Sequence, residues 1–328
     1  MFAYTIRRLL AAIPILLAAT FIVFWLVSLT VDPVTEEFAG LNPPPPQQTI
    51  DIERHRLNLD QGFFVQYFDW LRNLVTHGTF GPALNPATDI NSELYHRLGV
   101  TMRLIVSAMV LALVLAIITG VLSAYRQYSR FDYTATFFGF LFLAMPTFWI
   151  AQLLKTGAIT FNDAVGTRLF FTIGEKSDIP PDGWWNQFLD IVGHMILPTL
   201  SLALITYAAW SRFQRAAMLD VLNSDYIRLA RAKGLKPRQV LVKHALRTAL
   251  IPMTTASALT IATIFGGAVI TETVFQWQGM GKFLVQSVLT HDRNATMAWL
   301  VVAGTFVIVG NLIADLLYAV LDPRIRYG

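Results

Sequence analysis

Asn311, Asp315, Tyr318 and Asp322 recur at i, i+4, i+7 and i+11 in an otherwise apolar C-terminal stretch. At 3.6 residues per turn that spacing sets all four on one helical face. An ionisable stripe at membrane depth has two chemical readings, a proton relay or a hydrogen-bonded seam turned toward neighbouring helices. Asp315 lies only about two turns from the end of the stretch, which favours the seam.

Other reactive side chains are scattered. Glu272 and Arg103 stand at the ends of apolar runs and read as interface or gate residues without a catalytic role. His194 has no second His at ligand spacing, so the sequence offers no metal site. "GMGKF" at Gly279–Phe283 carries Gly-Lys, but Phe283 follows the Lys and Gln276 stands where a phosphate-binding loop needs its first Gly. There is no cysteine, which excludes disulfides, thiolate metal sites and thiol chemistry. The chain is read as having no catalytic residues and no nucleotide site of its own.

What must position these groups is a set of apolar segments. The 328 residues are 55% hydrophobic and 14% charged, with a mean hydropathy of +0.52. Six runs hold no Asp, Glu, Lys or Arg: Leu9–Val31, Leu104–Tyr125, Tyr133–Leu154, Ile191–Ser211, Thr248–Thr271 and Asn294–Ala314. A bilayer core of about 30 Å needs roughly 20 helical residues, and each run is long enough. The sequence therefore predicts an all-α integral membrane protein with six spans. Leu9–Val31 lacks a small-residue cleavage site and reads as an uncleaved anchor.

Basic residues set the orientation. Arg7, Arg8, Arg126, Arg130, Arg324, Arg326 and all Lys/Arg from Arg212 to Arg247 fall on one side, and most acids on the other. The positive-inside rule puts both termini in the cytoplasm of a cell-membrane protein. It also accounts for the pI of 9.4 without nucleic acid.

Two outer segments are substantial. Asp32–Arg97 opens with the stiff "NPPPP" spacer. It then offers Phe64, Tyr67, Phe68, Leu71 and Val75 as one apolar helical face. That helix lies on the outer leaflet, packs on the bundle, or docks an external partner. Lys155–Asp190, with "IPPDGWW", reads as a loop bearing interfacial tryptophans.

Between the fourth and fifth runs lies "DYIRLARAKGLKPRQVLVKHALRTALIP" (Asp225–Pro252), dense in Lys and Arg against a single Asp. Ser224 suits an N-cap and Asp225 the positive end of a helix dipole. Gly234 suits a left-handed C-terminal residue and Pro237 the first turn of a second helix, which runs to Leu250 until Pro252 opens span five. Ala230, Ala232 and Gly234 leave little bulk, so another surface could approach the backbone.

"YIRLARAKGL…HALRTALIP" resembles the cytoplasmic "EAA" loop of ABC-importer permeases, in the form found in the oligopeptide/dipeptide/nickel family. Aligned on Gly234, the E-A-A positions hold Arg228, Leu229 and Ala230, so only the third is kept. "GTFG" (Gly78–Gly81), "HRLGVTMRL" (His96–Leu104), "MPTFW" (Met145–Trp149), "ETVFQWQGMGKFLV" (Glu272–Val285) and "DLLYAVLDPRIR" (Asp315–Arg326) are similar to further motifs of that family. Gln278 replaces a usual Pro.

The resemblance implies a MetI-like type I permease with an extended extracellular region after the first span, the first permease of a pair. Its implied layout is a first helix and outer region over 1–98, a transport domain over 99–322 with a coupling loop at 212–250, and a tail at 323–328. Asp225, Tyr226, Arg228, Ala230, Ala232, Lys233, Gly234 and Leu235 would engage an ATPase. Glu272, Trp277, Gly279 and Gly281 form a candidate outer gate. The implied partners are a homologous second permease, two ATPase subunits or domains that bind ATP and Mg, an extracellular solute-binding protein, the lipid bilayer and a peptide substrate. Nickel or another small solute is the alternative cargo. An ion-coupled secondary transporter would instead need paired midplane charges and internal repeats, which the sequence lacks.

Overall fold

A computed structural model describes residues 2–30, 32–39 and 41–321. Among them the regular structure is helical: α1 (Phe2–Ser28), α2 (Pro33–Ala39), α3 (Gln47–Arg56), α4 (Phe63–His77), α5 (Ile90–Tyr125), α6 (Arg130–Ala144), α7 (Thr147–Val165), α8 (Trp184–Leu222), α9 (Asp225–Ala232), α10 (Pro237–Gln239), α11 (Arg247–Phe275), α12 (Met280–Leu289) and α13 (Arg293–Leu321), with a π-helical turn at Val240–Leu246 between α10 and α11.

The helices containing the first, second, fourth and sixth runs are each long and apolar enough to cross a bilayer, and α6 with α7 count as a fifth only where the bent pair is taken as one span. The 29-residue α11 contains the remaining run, Thr248–Thr271. Prolines inside α1, α8 and α11 leave those helices continuous, as neighbouring helices permit in membrane spans.

The third span departs from the expected single helix. α6 and α7 meet at a bend of 109°. Pro146 has no N–H to continue the ladder and disfavours helical backbone in the residue before it. Met145 is accordingly extended (φ −81°, ψ 133°), and α7 restarts after Pro146. Tyr133–Leu154 is thus divided between two helices instead of forming one.

The chain divides into two compact units, Met1–Thr101 with Gln278–Val309, and Met102–Trp277 with Gly310–Gly328. In the first, aromatic rings join α1 to α4: Phe24 lies 5.8 Å from Phe63, 5.4 Å from Tyr67 and 6.0 Å from Trp70. Arg56 donates to the carbonyls of Ala83 and Leu84 at 2.8 and 2.7 Å. The buried Met280 N–H donates to Thr101 Oγ1 at 2.7 Å, securing the start of α12.

The expected apolar face of α4 is two faces. Tyr67 is buried together with Trp70, whereas Phe64, Phe68 and Val75 are exposed. A membrane-associated helix can be apolar on more than one side, so one stripe need not share one environment.

In the second unit α8 is the central post. It packs against α6, α7 and α11 and passes α5 so closely that a Cβ on Gly120 would sit 2.9 Å from the Ser211 carbonyl. Small residues at such crossings are what close helix packing in membranes requires.

Candidate functional site

The basic loop is built on one end of the second unit. α9 runs from Asp225 to Ala232 as expected, but Ser224 does not cap it with its side chain. The hydroxyl donates backward to the Val221 carbonyl at 2.5 Å. Asp225 stands in the first turn, 3.4 Å from Arg228. At the other end Gly234 N donates to Arg231 O at 3.0 Å and Leu235 N to Ala230 O at 3.4 Å. That pair is a Schellman closure, and it needs the left-handed residue that Gly234 supplies at φ +74°.

The second loop helix also differs from expectation. It does not stop at Pro252: α10, the π-helical turn and α11 follow without a gap, so the loop leads straight into span five. The π-helical turn occupies Val240–Leu246, a local widening that such helices often carry near functional sites.

α9 has two unlike faces. Ile227 and Ala230 are buried in an apolar cluster with Val121, Ala124, Met218, Val240, Ala245 and Ala249. Ala230 therefore faces its own chain instead of an approaching partner. The opposite face exposes Tyr226, Leu229 and Leu235 at 44%, 56% and 37%, beside exposed Asp225, Arg228, Arg231, Ala232, Lys233 and Gly234. Leu229, second of the aligned E-A-A positions, and Arg231 join the group although neither was among the expected ATPase contacts. The signal for Leu229 was the spacing Tyr226, Leu229, Lys233, which sets it on the side away from Ile227 and Ala230; Arg231 lies off that row.

Beside this loop lies an ionic knot absent from the sequence reading. Asp132 (3% exposed) accepts from Arg215 Nε and Nη2, both at 2.8 Å, and from Tyr128 N at 2.9 Å. Ser123 also donates to it. The knot ties the end of α5, the start of α6 and the late part of α8. A buried carboxylate with this many charge-assisted donors is well satisfied.

At the other end of the second unit, α11 closes on Gln276 in the left-handed region (φ 51°). Trp277 N donates to Glu272 O at 2.8 Å and Gln276 N to Thr273 O at 3.3 Å. Glu272 and Trp277 are both fully buried. Lys155 Nζ reaches the Val274 carbonyl at 2.7 Å, and Gly174 N the Phe275 carbonyl at 3.0 Å. The next residue, buried Glu175, pairs with Arg103 at 2.8 Å. Arg103 thus acts with Glu175, an outer-loop acid that no motif marked. His194 is 2% exposed, stacks on Phe171 at 4.1 Å and holds the Asp190 carbonyl at 2.8 Å.

In the first unit, Gly279 and Gly281 are buried on either side of Met280 at the start of α12. A cavity of about 510 Å³ there is bordered by Glu36, Glu93, Arg97, Phe283, Ser287 and Asp292. Burial pushes the Asp292 carboxyl above its ordinary pKa, while the N–H groups of Ala295 and Leu84 oppose the shift. Of the last-span stripe, Asn311 and Asp315 are half-buried. The Tyr318 side chain and Asp322 lie outside the described residues, as does the 323–328 tail.

Residues 113–327 match the family described as binding-protein-dependent transport system inner membrane component. Residues 1–89 match the companion N-terminal family of such membrane components. The chain is 42% identical over 323 residues to the oligopeptide transport system permease protein OppB of Mycobacterium tuberculosis, with 98% of each chain covered. It is 41% identical over 331 residues to the oligopeptide transport system permease protein AppB of Bacillus subtilis, covering 100% of both. It is 33% identical over 347 residues to the dipeptide transport system permease protein DppB of Escherichia coli, covering 100% of this chain and 99% of that one. Among solved structures, a chain of the MetNI methionine ABC transporter in an inward-facing conformation aligns with TM-score 0.55 at 17% identity, covering 70% of this chain and 96% of that chain. At that identity the likeness speaks for the fold.

Proposed function

The chain belongs to the family of binding-protein-dependent transport system inner membrane components, and on that premise we propose that it is the permease subunit of an ATP-driven importer of oligopeptides or dipeptides. It is a multi-pass membrane protein whose family is the permease component of ABC importers, with ATP hydrolysis in separate subunits. Relatives named as oligopeptide and dipeptide permeases over the whole chain support the cargo.

The observation that carries the mechanism is the two-faced α9. Its inner face is cemented to α5, α8 and the π-helical turn, so a push on its outer face moves helices instead of bending a loop. Tyr226, Leu229 and Leu235, ringed by Arg228, Arg231 and Lys233, suit a groove that is apolar at its centre and acidic at its rim. We assign that groove to a cytoplasmic ATPase that binds ATP and Mg. Closure of two ATPases would then rock α5, α6 and α8 as one body through the Arg215–Asp132–Ser123 knot, alternating the access of a central path. A homologous second permease completes that path and engages the second ATPase, and an extracellular binding protein delivers the peptide. Both termini and the 212–250 loop lie in the cytoplasm. The region around Glu272, Trp277, Arg103 and Glu175, at the far end of the second unit, forms the outer gate.

The test is reconstitution of the chain with its second permease, ATPases and binding protein in liposomes. The reading expects ATP-dependent uptake of labelled peptide, lost when either permease is omitted. Uptake of nickel but not peptide overturns the cargo, and peptide uptake without the second permease overturns the pairing.

A further inference from the structure

α4 presents three faces, and the third is largely exposed. Phe63, Tyr67 and Trp70 turn toward α1. Gln66, Asp69, Asn73 and Thr76 form a polar side, as successive residues advance about 100° around the helix. Phe64, Phe68 and Val75 are left exposed at 64%, 60% and 76%, with Leu71 half-buried among them. Large apolar groups clustered in this way have an occupant.

The contacts of the packed face say where in a bilayer that occupant is found. The Tyr67 hydroxyl lies 3.1 Å from Thr20 Oγ1 and donates to the Leu17 carbonyl at 3.3 Å. Thr20 falls midway along the charge-free run Leu9–Val31. On the other side, the Arg293 guanidinium lies over the Phe24 ring at 4.7 Å. A guanidinium at the start of a span marks the level where water and headgroups begin. α4 is therefore bracketed between that level and the middle of α1.

Phe63, Tyr67 and Trp70, spread over two turns of α4, all reach the single ring of Phe24. The polar and apolar sides of α4 are opposed, as in helices that rest in the interface.

We propose that the Phe64, Phe68, Leu71 and Val75 face of α4 is a lipid-binding face, seated among the acyl chains of the leaflet that meets the C-terminal half of α1. It continues the lipid-facing surface of α1 without a gap. Phe21 on α1, itself 37% exposed, contacts Phe63 at 5.6 Å and Tyr67 at 5.2 Å. Those rings in turn meet Phe64 at 5.3 Å and Phe68 at 5.6 Å. The inference rests on α1 crossing a bilayer and is independent of the cargo and of the ATPase contact.

The absence of cysteine allows one nitroxide label at a time in the full chain. Labels at positions 64, 68 and 75, with 69 and 73 as polar-side references, would be studied in the assembled importer in lipid nanodiscs. Collision with molecular oxygen, which concentrates in acyl chains, is compared with collision with a water-soluble nickel chelate. The expected result is several-fold greater oxygen collision at 64, 68 and 75 and the reverse at 73. Chelate-dominated collision at 68 would show that the face is in water. Protection from both reagents would show that a protein partner covers it. Either outcome overturns the proposal.

Discussion

Arg215 grips Asp132 with both Nε and Nη2 at 2.8 Å, joining α8 to the first turn of α6 next to the apolar socket that holds α9. The two residues are 83 apart in sequence. With Ser123 of α5 hydrogen-bonded to both residues, the contact joins three helix ends, as the proposed coupling through the loop requires.

Loss of either partner should be costly. Arg215→Met leaves Asp132 buried beside an apolar chain, and Asp132→Leu leaves Arg215 facing one. Each single variant is expected to lose about 3 kcal/mol of stability, while the double variant recovers much of it. Thermal unfolding of the purified chain in nanodiscs measures this. Single variants as stable as the parent would show that the knot contributes nothing.

Gly234 tests the turn. A Cβ there meets nothing of this chain within 4 Å. The demand is conformational: at φ +74° an ordinary L-residue costs about 1–2 kcal/mol. Gly234→Leu should lower transport at equal protein level, while Gly234→Asn, which tolerates left-handed backbone, should retain most of it. Unchanged uptake by the Leu variant would contradict the role of the turn.

The two faces of α9 should separate stability from coupling. Leu229→Glu alters an exposed position and is expected to leave unfolding unchanged while reducing ATP-driven uptake roughly tenfold, the equivalent of about 1.4 kcal/mol at an interface. Ala230→Leu overfills the socket against Ile227 and Met218, costing about 1–3 kcal/mol and reducing folded protein. Equal uptake by Leu229→Glu and the parent would remove the outer face from the mechanism.

The spans were legible in the sequence because lipid and buried helix contacts both select apolar side chains, so a charge-free run announces a span whichever way it faces. For the same reason its inner sides were not legible. Phe64, Tyr67 and Phe68 look alike in pattern, yet only Tyr67 packs against α1. Within the loop, Gly234 and Pro237 were readable because their backbone demands are local. The direction of Ala230 was not, since a small residue serves equally at a tight internal contact and at an open surface. Pro146 was noticed as a motif, but its consequence depended on how the neighbouring helices accept a broken ladder. Arg215 with Asp132 and Arg103 with Glu175 obey no period at all. Contacts between distant helices become visible only when the helices are assembled.

The most direct test of coupling through α9 uses single cysteines in this naturally cysteine-free chain, placed at 229 on the exposed face and at 227, which is 0% exposed. A short bifunctional crosslinker is applied to the assembled, transport-competent importer. The account predicts that position 229 joins to an ATPase subunit and that position 227 does not. A transport-active assembly in which 229 fails to crosslink, or in which 227 crosslinks equally well, would contradict it.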